Sequence, residues 1–410
     1  MKVALIIEHF DANRGGAEHL TVWLAGQLLA AGIEVHIVCH DVAHRVSRLG
    51  AATRRAGYDA DRSPRDAGAE DFPPGLHIHR LRGMRMSTGL GFRRFGQRAC
   101  AWCKENKPDI AHSMTVAFPG DLYHPHAGVY ARIHAQAVAS RPTPAAARWK
   151  QLMISLSYKQ QTLLALERRA VSAPARGGPQ RIIAICQMMA DHLGADYSVD
   201  PSRIFMLENP RMGGAPDLQK AAADRAWFRG HYGFSADDRI ALFVGHDFRR
   251  KGLHWAIETI RHAPHWKLLV VGLGKTRPYL EQAEAAGLAD RVRFVGPTRQ
   301  MSQIYAAGDA LLLPTFYDSF GLVAIEALSF GLPVVSTQHL GAAGLVTAAN
   351  AGIIVPSPRE VKAMADYLET APMTGPAHAD LAARARRASA GMTGESYIQR
   401  LLELYKEIAR

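Results

Sequence analysis

The sequence predicts an α/β protein built from two consecutive Rossmann-like domains, and three observations carry that prediction. At 410 residues the chain is too long for one ordinary core and divides naturally into two units of about 200 residues. Short apolar runs punctuated by glycine alternate with helical stretches almost throughout, the pattern of a parallel sheet covered by helices. The alternation breaks once, at "ENPRMGGAPD" (208–217), where proline and glycine cluster, and then begins again.

The elements follow in order. "VALII" is a first buried strand; its five apolar residues end at Glu8, too few for the core of a secretory leader. "DANRGGAEH" is its exit loop, "LTVWLAGQLLAAG" a helix and "IEVHIVCHD" the next strand. Residues 44–75, rich in Arg, Asp, Gly and Pro, read as a long loop or insertion. Strands resume at "PDIAHSM" and "RIIAIC", and 145–172 reads as one long helix between them. After the break come "RIALFVG", "KLLVVG", "RVRFVG", "ALLLP" and "PVVST". Each except the last ends at Gly or Pro, and a helix-like segment follows each of the first four. The tail "SYIQRLLELYKEIAR" sets Ile398, Leu401, Leu402, Tyr405 and Ile408 on one helical stripe, so it packs as a closing helix.

Composition narrows the function classes. Hydrophobic content of 48% and charged content of 21% fit a soluble globular chain, and no apolar run approaches the roughly 18 residues that cross a bilayer. The net charge is +12, and residues 1–170 hold 23 Lys/Arg against 14 Asp/Glu. A basic first half suits polyanions (a phosphorylated substrate, nucleic acid or an anionic membrane), or is simply a solvated basic surface. Four cysteines form no disulfide framework and point to a reducing compartment. "CAWC" has no second pair to complete a zinc site, so Cys100 and Cys103 read as a buried thiol pair on a helix. The 19 histidines are scattered and contain no H-E-x-x-H.

Open parallel sheets bind ligands beyond the carboxyl ends of their strands, so the loops there carry the chemistry. "GGAEH", with Gly15 and Gly16, follows the first strand and opens a helix, where backbone can approach a phosphate; it is not G-x-G-x-x-G, and a simple tight turn is the alternative. "GLGKT" imitates a phosphate loop, but the position that needs the first glycine is Leu269, inside a strand. "VGHDFRRKG" puts Arg249, Arg250 and Lys251 in a loop after a strand, where two cations could hold a diphosphate or merely face solvent. In "YDSFGLVAIE", Asp318 lies in a loop, a helix starts near Gly321, and Glu326 sits near its second turn. The amides of Phe320, Gly321 and Leu322 face the same crevice. That order suits a sugar, a phosphate and a ribose. The alternative is a capping Asp318 and a Glu326 in a local salt bridge.

Together "VGHDFRRKG", "RVRFVG", "YAAGDALLLPT", "DSFGLVAIEALSFGLPVVST" and "GAAGLV" resemble the family 4 retaining glycosyltransferases of the GT-B fold, and among them the lipopolysaccharide-core glucosyltransferases. The likeness is continuous over about 240–345 and looser at "GGAEH", "YHPHAGVYARIHAQ" and the "ENP" linker. It implies two Rossmann-like domains facing a central cleft. Residues 1–208 would hold the acceptor, 209–385 the nucleotide-sugar donor, and 386–410 would close back onto the first domain. By resemblance, Asp318 and Glu326 occupy the two acids of an E-x7-E motif, the first contacting sugar hydroxyls and the second the ribose. Arg250 and Lys251 match the diphosphate-binding pair, and Gly15 and Gly16 the glycine loop. His126 matches an active-site histidine, with His124 the weaker candidate. The first acid is Asp where the family usually has Glu, a methylene shorter, which touches the choice of sugar.

The resemblance therefore implies a metal-independent retaining transfer of a hexose, glucose by expectation, from a UDP-sugar to a glycolipid such as the lipopolysaccharide core. No metal, and no cofactor beyond the donor, is expected. A sugar-nucleotide epimerase or a non-catalytic sugar-nucleotide-binding protein on the same fold is the alternative. Partners are then the donor and an anionic glycolipid, not nucleic acid. The dense basic stretch Arg80, Arg82, Arg85, Arg93, Arg94 and Arg98, with Leu90, Phe92, Phe95 and Trp102, is expected either to touch an anionic membrane or to put its aromatics into a helix core. The expected location is the cytoplasm, peripheral on the inner face of the membrane.

Overall fold

The computed structural model describes residues 1–12, 14–42, 73–212 and 214–409. The loop expected at 44–75 lies, up to residue 72, outside the described residues. The first sheet holds β1 (Lys2–Phe10), β2 (Glu34–Val42), β3 (Leu76–Arg80), β4 (Ile110–Ser113), β5 (Leu122–Tyr123), β6 (Arg181–Ala184) and β7 (Ile204–Met206), in spatial order 3-2-1-4-5-6-7. The second holds β8 (Arg239–Val244), β9 (Trp266–Val271), β10 (Val292–Gly296), β11 (Ala310–Leu313), β12 (Val334–Thr337) and β13 (Gly352–Val355), in order 10-9-8-11-12-13. Every pairing among these strands is parallel.

Helices cover both sheets. With the first sheet run α1 (Gly16–Ala30), α2 (Gly89–Asn106), α3 (Tyr130–Ala139), α4 (Pro144–Leu156), α5 (Tyr158–Ala170) and α6 (Gln187–Tyr197). With the second run α7 (Leu218–His231), α8 (Leu253–His262), α9 (Arg277–Ala285), α10 (Met301–Ala307), α11 (Leu322–Ser329), α12 (Ala343–Ala348), α13 (Val361–Thr370) and α14 (Gly375–Ala390). The chain ends in α15 (Gly394–Ile408). Strands covered on both faces need unbroken apolar sequence. That is what "VALII" and "ALLLP" supply: Val3 to Ile6 and Leu311 to Leu313 are fully buried.

The last helix crosses back to the first sheet. Its buried stripe is Tyr397, Leu401, Leu404, Tyr405 and Ile408, with Ile398 and Leu402 partly covered at its edge. Tyr405 OH meets His112 Nδ1 of β4 at 2.6 Å, Arg400 donates to the Met206 carbonyl of β7, and Tyr397 packs edge-on against Trp23 of α1.

One expectation is corrected and one pair of alternatives is decided. The single helix of 145–172 is two helices broken at Ser157, which has extended backbone and accepts from Gln160 N to cap α5. A serine offering its own acceptor favours a helix start over a helix interior. The aromatics of the basic stretch fold inward, as the core alternative has it. Phe95 is fully buried, Phe92 is half-buried, and half-buried Trp102 packs on the rings of His36 and His79, while all six arginines stay exposed. Cys100 and Cys103 lie on α2 and are half-buried.

Candidate active site

In each sheet the strand order reverses beside the first strand of its half, between β1 and β4 and between β8 and β11. At such a point neighbouring connections leave on opposite faces and open a crevice. The loops after β1, β8 and β11 meet across these two crevices. Gly15, Gly16, His126, Arg250, Lys251, Asp318, Phe320, Gly321, Leu322 and Glu326 all line one cavity of about 610 Å³ there. All ten sequence-selected residues are thus brought together from four separate stretches of chain.

The cationic side is built from the β8 loop. Lys251 Nζ is ion-paired with Asp318 Oδ2, and both side chains are nearly enclosed. Burial lowers the Lys251 pKa below the usual lysine range, and the neighbouring carboxylate works against that. Arg250 is more open. Its Nη1 donates to the Tyr317 carbonyl at 2.9 Å and its Nε approaches Asp247 at 3.3 Å, which aims the guanidinium along the cavity wall. The backbone holds the two loops together, with Phe316 N donating to Arg250 O at 2.8 Å.

Asp318 is fixed as part of the chain as well as by Lys251. Its N–H donates to His339 O and its carbonyl accepts from Gly341 N, each at 2.9 Å. It does not cap α11. The capping position is Gly321, with φ +89°, and no side chain caps the helix. A Cβ at Gly321 would lie 2.3 Å from Leu340 Cδ1, so both the left-handed backbone and the close packing require glycine. The first turn of α11 therefore presents its amides and the positive end of its dipole to the cavity, a setting suited to an anion.

Glu326, one turn on, is largely covered and takes no salt bridge among the described residues. Its Oε2 accepts from Tyr305 OH at 2.6 Å. Burial raises its pKa, and the tyrosine hydrogen bond opposes the rise. One carboxylate oxygen is thus anchored from behind, while the residue borders the cavity in front.

Opposite lies the first domain. Gly15 ends the β1 loop in fully extended backbone that any residue adopts, and a Cβ on Gly16 would come within 3.8 Å of Leu322 Cδ1. The glycines keep the start of α1 thin where it faces the start of α11. His126 sits in the loop after β5, and its backbone carbonyl accepts from Ser319 Oγ at 2.8 Å. The His124 alternative is fully buried behind it, rings 3.7 Å apart, and hydrogen-bonds His112 at 3.1 Å. Burial pushes the pKa values of His112 and His126 down to about 3 and that of His124 well below its ordinary value, so all three are neutral at physiological pH. His126 Nε2 has no hydrogen-bond partner among the described residues.

A second cavity of about 350 Å³ adjoins the first through Ala17, Glu18, His126 and Ala127. Glu8, Arg14, Tyr130 and Lys159 also line it. Glu8 accepts from Thr115 Oγ1, and burial raises its pKa. Sequence reasoning missed this residue although the signal was present: an acid closes the otherwise apolar first strand at the end where ligands bind. Tyr305 carried no such signal, because a tyrosine in an amphipathic helix reads as core.

Two facing parallel-sheet domains, closed by a returning C-terminal helix over one shared cleft, make this a GT-B protein. The description "Glycosyltransferase Family 4" matches residues 14–210 and "Glycosyl transferases group 1" matches 224–388. The chain belongs to the family 4 glycosyltransferases of the GT-B fold.

Among curated proteins it is 26% identical over 245 residues to the lipopolysaccharide glucosyltransferase WaaG of Escherichia coli, covering 58% of this chain and 65% of that one. It is 32% identical over 218 residues to the D-inositol 3-phosphate glycosyltransferase of Mycobacteroides abscessus, covering 50% of this chain and 48% of that one. The matched segment thus spans about half to two thirds of these relatives. Among solved structures, WaaG superposes with a TM-score of 0.74 at 21% identity over 99% of both chains. Sucrose-phosphate synthase from Thermosynechococcus elongatus gives 0.72 at 19% identity, over 99% of this chain and 98% of that one. These likenesses establish the fold.

Proposed function

We propose that the protein is a retaining glycosyltransferase that moves a hexose, glucose by preference, from a UDP-sugar to an anionic glycolipid. The supporting observation is the convergence of Arg250, Lys251, the first turn of α11, Asp318, Glu326 and His126 on one cavity. The diphosphate lies against Arg250, Lys251 and the α11 amides. Glu326 Oε1 accepts from the ribose, and Asp318 reads the sugar hydroxyls. As the bond from the anomeric carbon to the β-phosphate oxygen breaks, negative charge grows on the phosphate, where two cations and a helix terminus already point. The acceptor hydroxyl attacks from the same face, and its proton passes to the departing phosphate oxygen. Neutral His126 offers a hydrogen bond to the sugar without competing for that proton. The protein's own cations do the work a divalent metal would do at the diphosphate.

A GT-B neighbour, Alr3699/HepE from Anabaena, is described in complex with UDP and glucose, which favours uridine and glucose here. For the acceptor, the 350 Å³ cavity fits about one sugar unit, and Arg14 and Lys159 suit an anionic one. Its lipid would be met by α4. Trp149, Leu152, Met153 and Leu156 are exposed at helical spacing on that helix, beside Arg148 and Lys150, and residues 122–166 contain no Asp or Glu. Among the described residues no helix is long and apolar enough to cross a membrane, so the contact is peripheral. A soluble phosphorylated polyol is the second reading for the acceptor, favoured by the inositol-phosphate relative and the small size of the cavity.

Calorimetry with UDP, GDP, ADP and TDP, followed by transfer assays with UDP-hexoses in excess EDTA, tests the proposal. It expects UDP to bind tightest and transfer to continue without free metal. Tighter binding of another nucleotide, or activity restored only by magnesium or manganese, would refute the corresponding part. Transfer to a phosphorylated polyol in the absence of lipid would favour the second reading.

A further inference from the structure

At the far end of the first sheet, β2 and β3 pair in the register His36↔His77 and Val38↔His79. Residues paired across parallel strands share a face, and so do residues two apart. The segments "EVH" (34–36) and "HIH" (77–79) therefore put Glu34, His36, His77 and His79 on one face of the sheet. Glu34 Oε1 lies 2.8 Å from His36 Nε2 and 3.6 Å from His77 Nε2, and the three ligand atoms fall within 4.8 Å of one another.

We propose that Glu34, His36 and His77 bind a zinc ion that ties β2 to β3. Two ligand atoms of a tetrahedral zinc stand roughly 3.4 Å apart, given bonds of about 2.1 Å. The observed separations straddle that value, and the exposed Glu34 and His77 side chains, each about half accessible, are free to make the adjustment. The third ligand is fixed. His36 is buried, and its Nδ1 is hydrogen-bonded to His79 Nε2 at 2.9 Å, which leaves Nε2 as the ligating atom. Trp102 of α2 packs on the His36 and His79 rings and holds them in place. Two imidazoles, that of His36 oriented through its second nitrogen, with one carboxylate and an open position for water, form a donor set suited to zinc.

The ion would stand at the amino ends of the strands. From His36 to Val42, the cleft end of β2, is roughly 20 Å at about 3.3 Å per residue. Its role is to hold the sheet's edge, not to act on the donor, so it is separate from the metal-free chemistry of the cleft. It joins two strands linked through a segment of more than 30 residues, where a cross-link restricts the unfolded chain most.

The test uses the full-length chain without a histidine tag, stripped by chelator and dialysed, then titrated with zinc chloride by calorimetry and thermal melting. One equivalent should bind, and the melting temperature should rise by several degrees at saturation. His77→Ala and Glu34→Gln, both at exposed positions that the fold tolerates, should each weaken binding by at least about tenfold to a hundredfold. His79→Ala should act in the same direction through His36. His265→Ala, an exposed histidine in the second domain, should leave binding unchanged. No binding step near one equivalent, or a step that survives both His77→Ala and Glu34→Gln, would overturn the proposal and leave the cluster as a hydrogen-bonded network.

Discussion

His126 lends itself to a sharp test because its environment fixes its protonation. Its native pKa is pushed down to about 3 by burial, against 6.5 for an ordinary histidine. A histidine held neutral in the fold is protonated more readily in the unfolded chain, so acid favours unfolding. The penalty starts as pH falls below about 6.5, grows by about 1.4 kcal/mol per unit and levels off near the native value. At pH 5 it amounts to about 2 kcal/mol, and a native pKa one unit higher changes this little, because the unfolded value sets the onset. His126→Gln removes the titrating group. The assay is the urea midpoint of the first-domain transition at pH 7.5 and pH 5, read alongside the histidine ring signals by NMR. Wild type should lose about 2 kcal/mol more than the variant between the two conditions, and the His126 ring signal, assigned by its absence in the variant, should fail to titrate above pH 5. An equal pH dependence in both proteins would refute the assignment, as would a His126 signal titrating near 6.5.

Replacing Arg250 and Lys251 together by Ala should cost at least about a hundred- to a thousandfold in kcat, with a smaller effect on UDP binding, because the phosphate charge they face grows in the transition state. Wild type should discriminate against 2′-deoxyribo donors by roughly ten- to a hundredfold in kcat/KM, the worth of a hydrogen bond to a charged group. Glu326→Ala should abolish that preference. Tyr305→Phe, which removes the bond that opposes the raised Glu326 pKa, should shrink it, and Asp318→Ala should instead blur the choice between sugars. Equal use of both donors by wild type would remove the ribose role. Trp149, Leu152 and Leu156 changed together to Gln should reduce binding to anionic vesicles more than Arg93, Arg94 and Arg98 reversed to Glu. The charge reversal should matter less as salt rises, because exposed charges are screened over about 8 Å at physiological ionic strength. Unchanged vesicle binding in the α4 variant would exclude that face.

The sequence carried the interior of the fold and the positions around the cleft, for a shared reason. Strands buried on both faces must be apolar along their whole length, so "RIALFVG" and "ALLLP" declared themselves. The loops that leave them hold residues with no place in a core, such as Arg250, Lys251 and Asp318. β5 and β7 were not read because two or three residues are too few to show a period. Ser157 hid a helix break inside an otherwise helical composition. Phe95 stayed open between membrane and core because a basic stretch says nothing about which side of its helix faces inward. The Glu34, His36, His77 and His79 cluster escaped because its two halves lie some forty residues apart and only strand register joins them.

The loop carrying Asp318 and the loop carrying His126 are bolted to each other. Ser319 Oγ donates to His126 O, Val129 N donates to Tyr317 OH, and Cys186 Sγ donates to Ser319 O at 3.1 Å. Gly128, with φ +96°, leaves room for the tyrosine, since a Cβ there would sit 2.3 Å from its hydroxyl. Across the cleft mouth, Gly16 and Leu322 meet with no side chain on one of the two partners. One rim is therefore pinned and the other only rests in place. Asp318 and His126 thus stand at a spacing that the fold itself sets before any ligand enters the cleft.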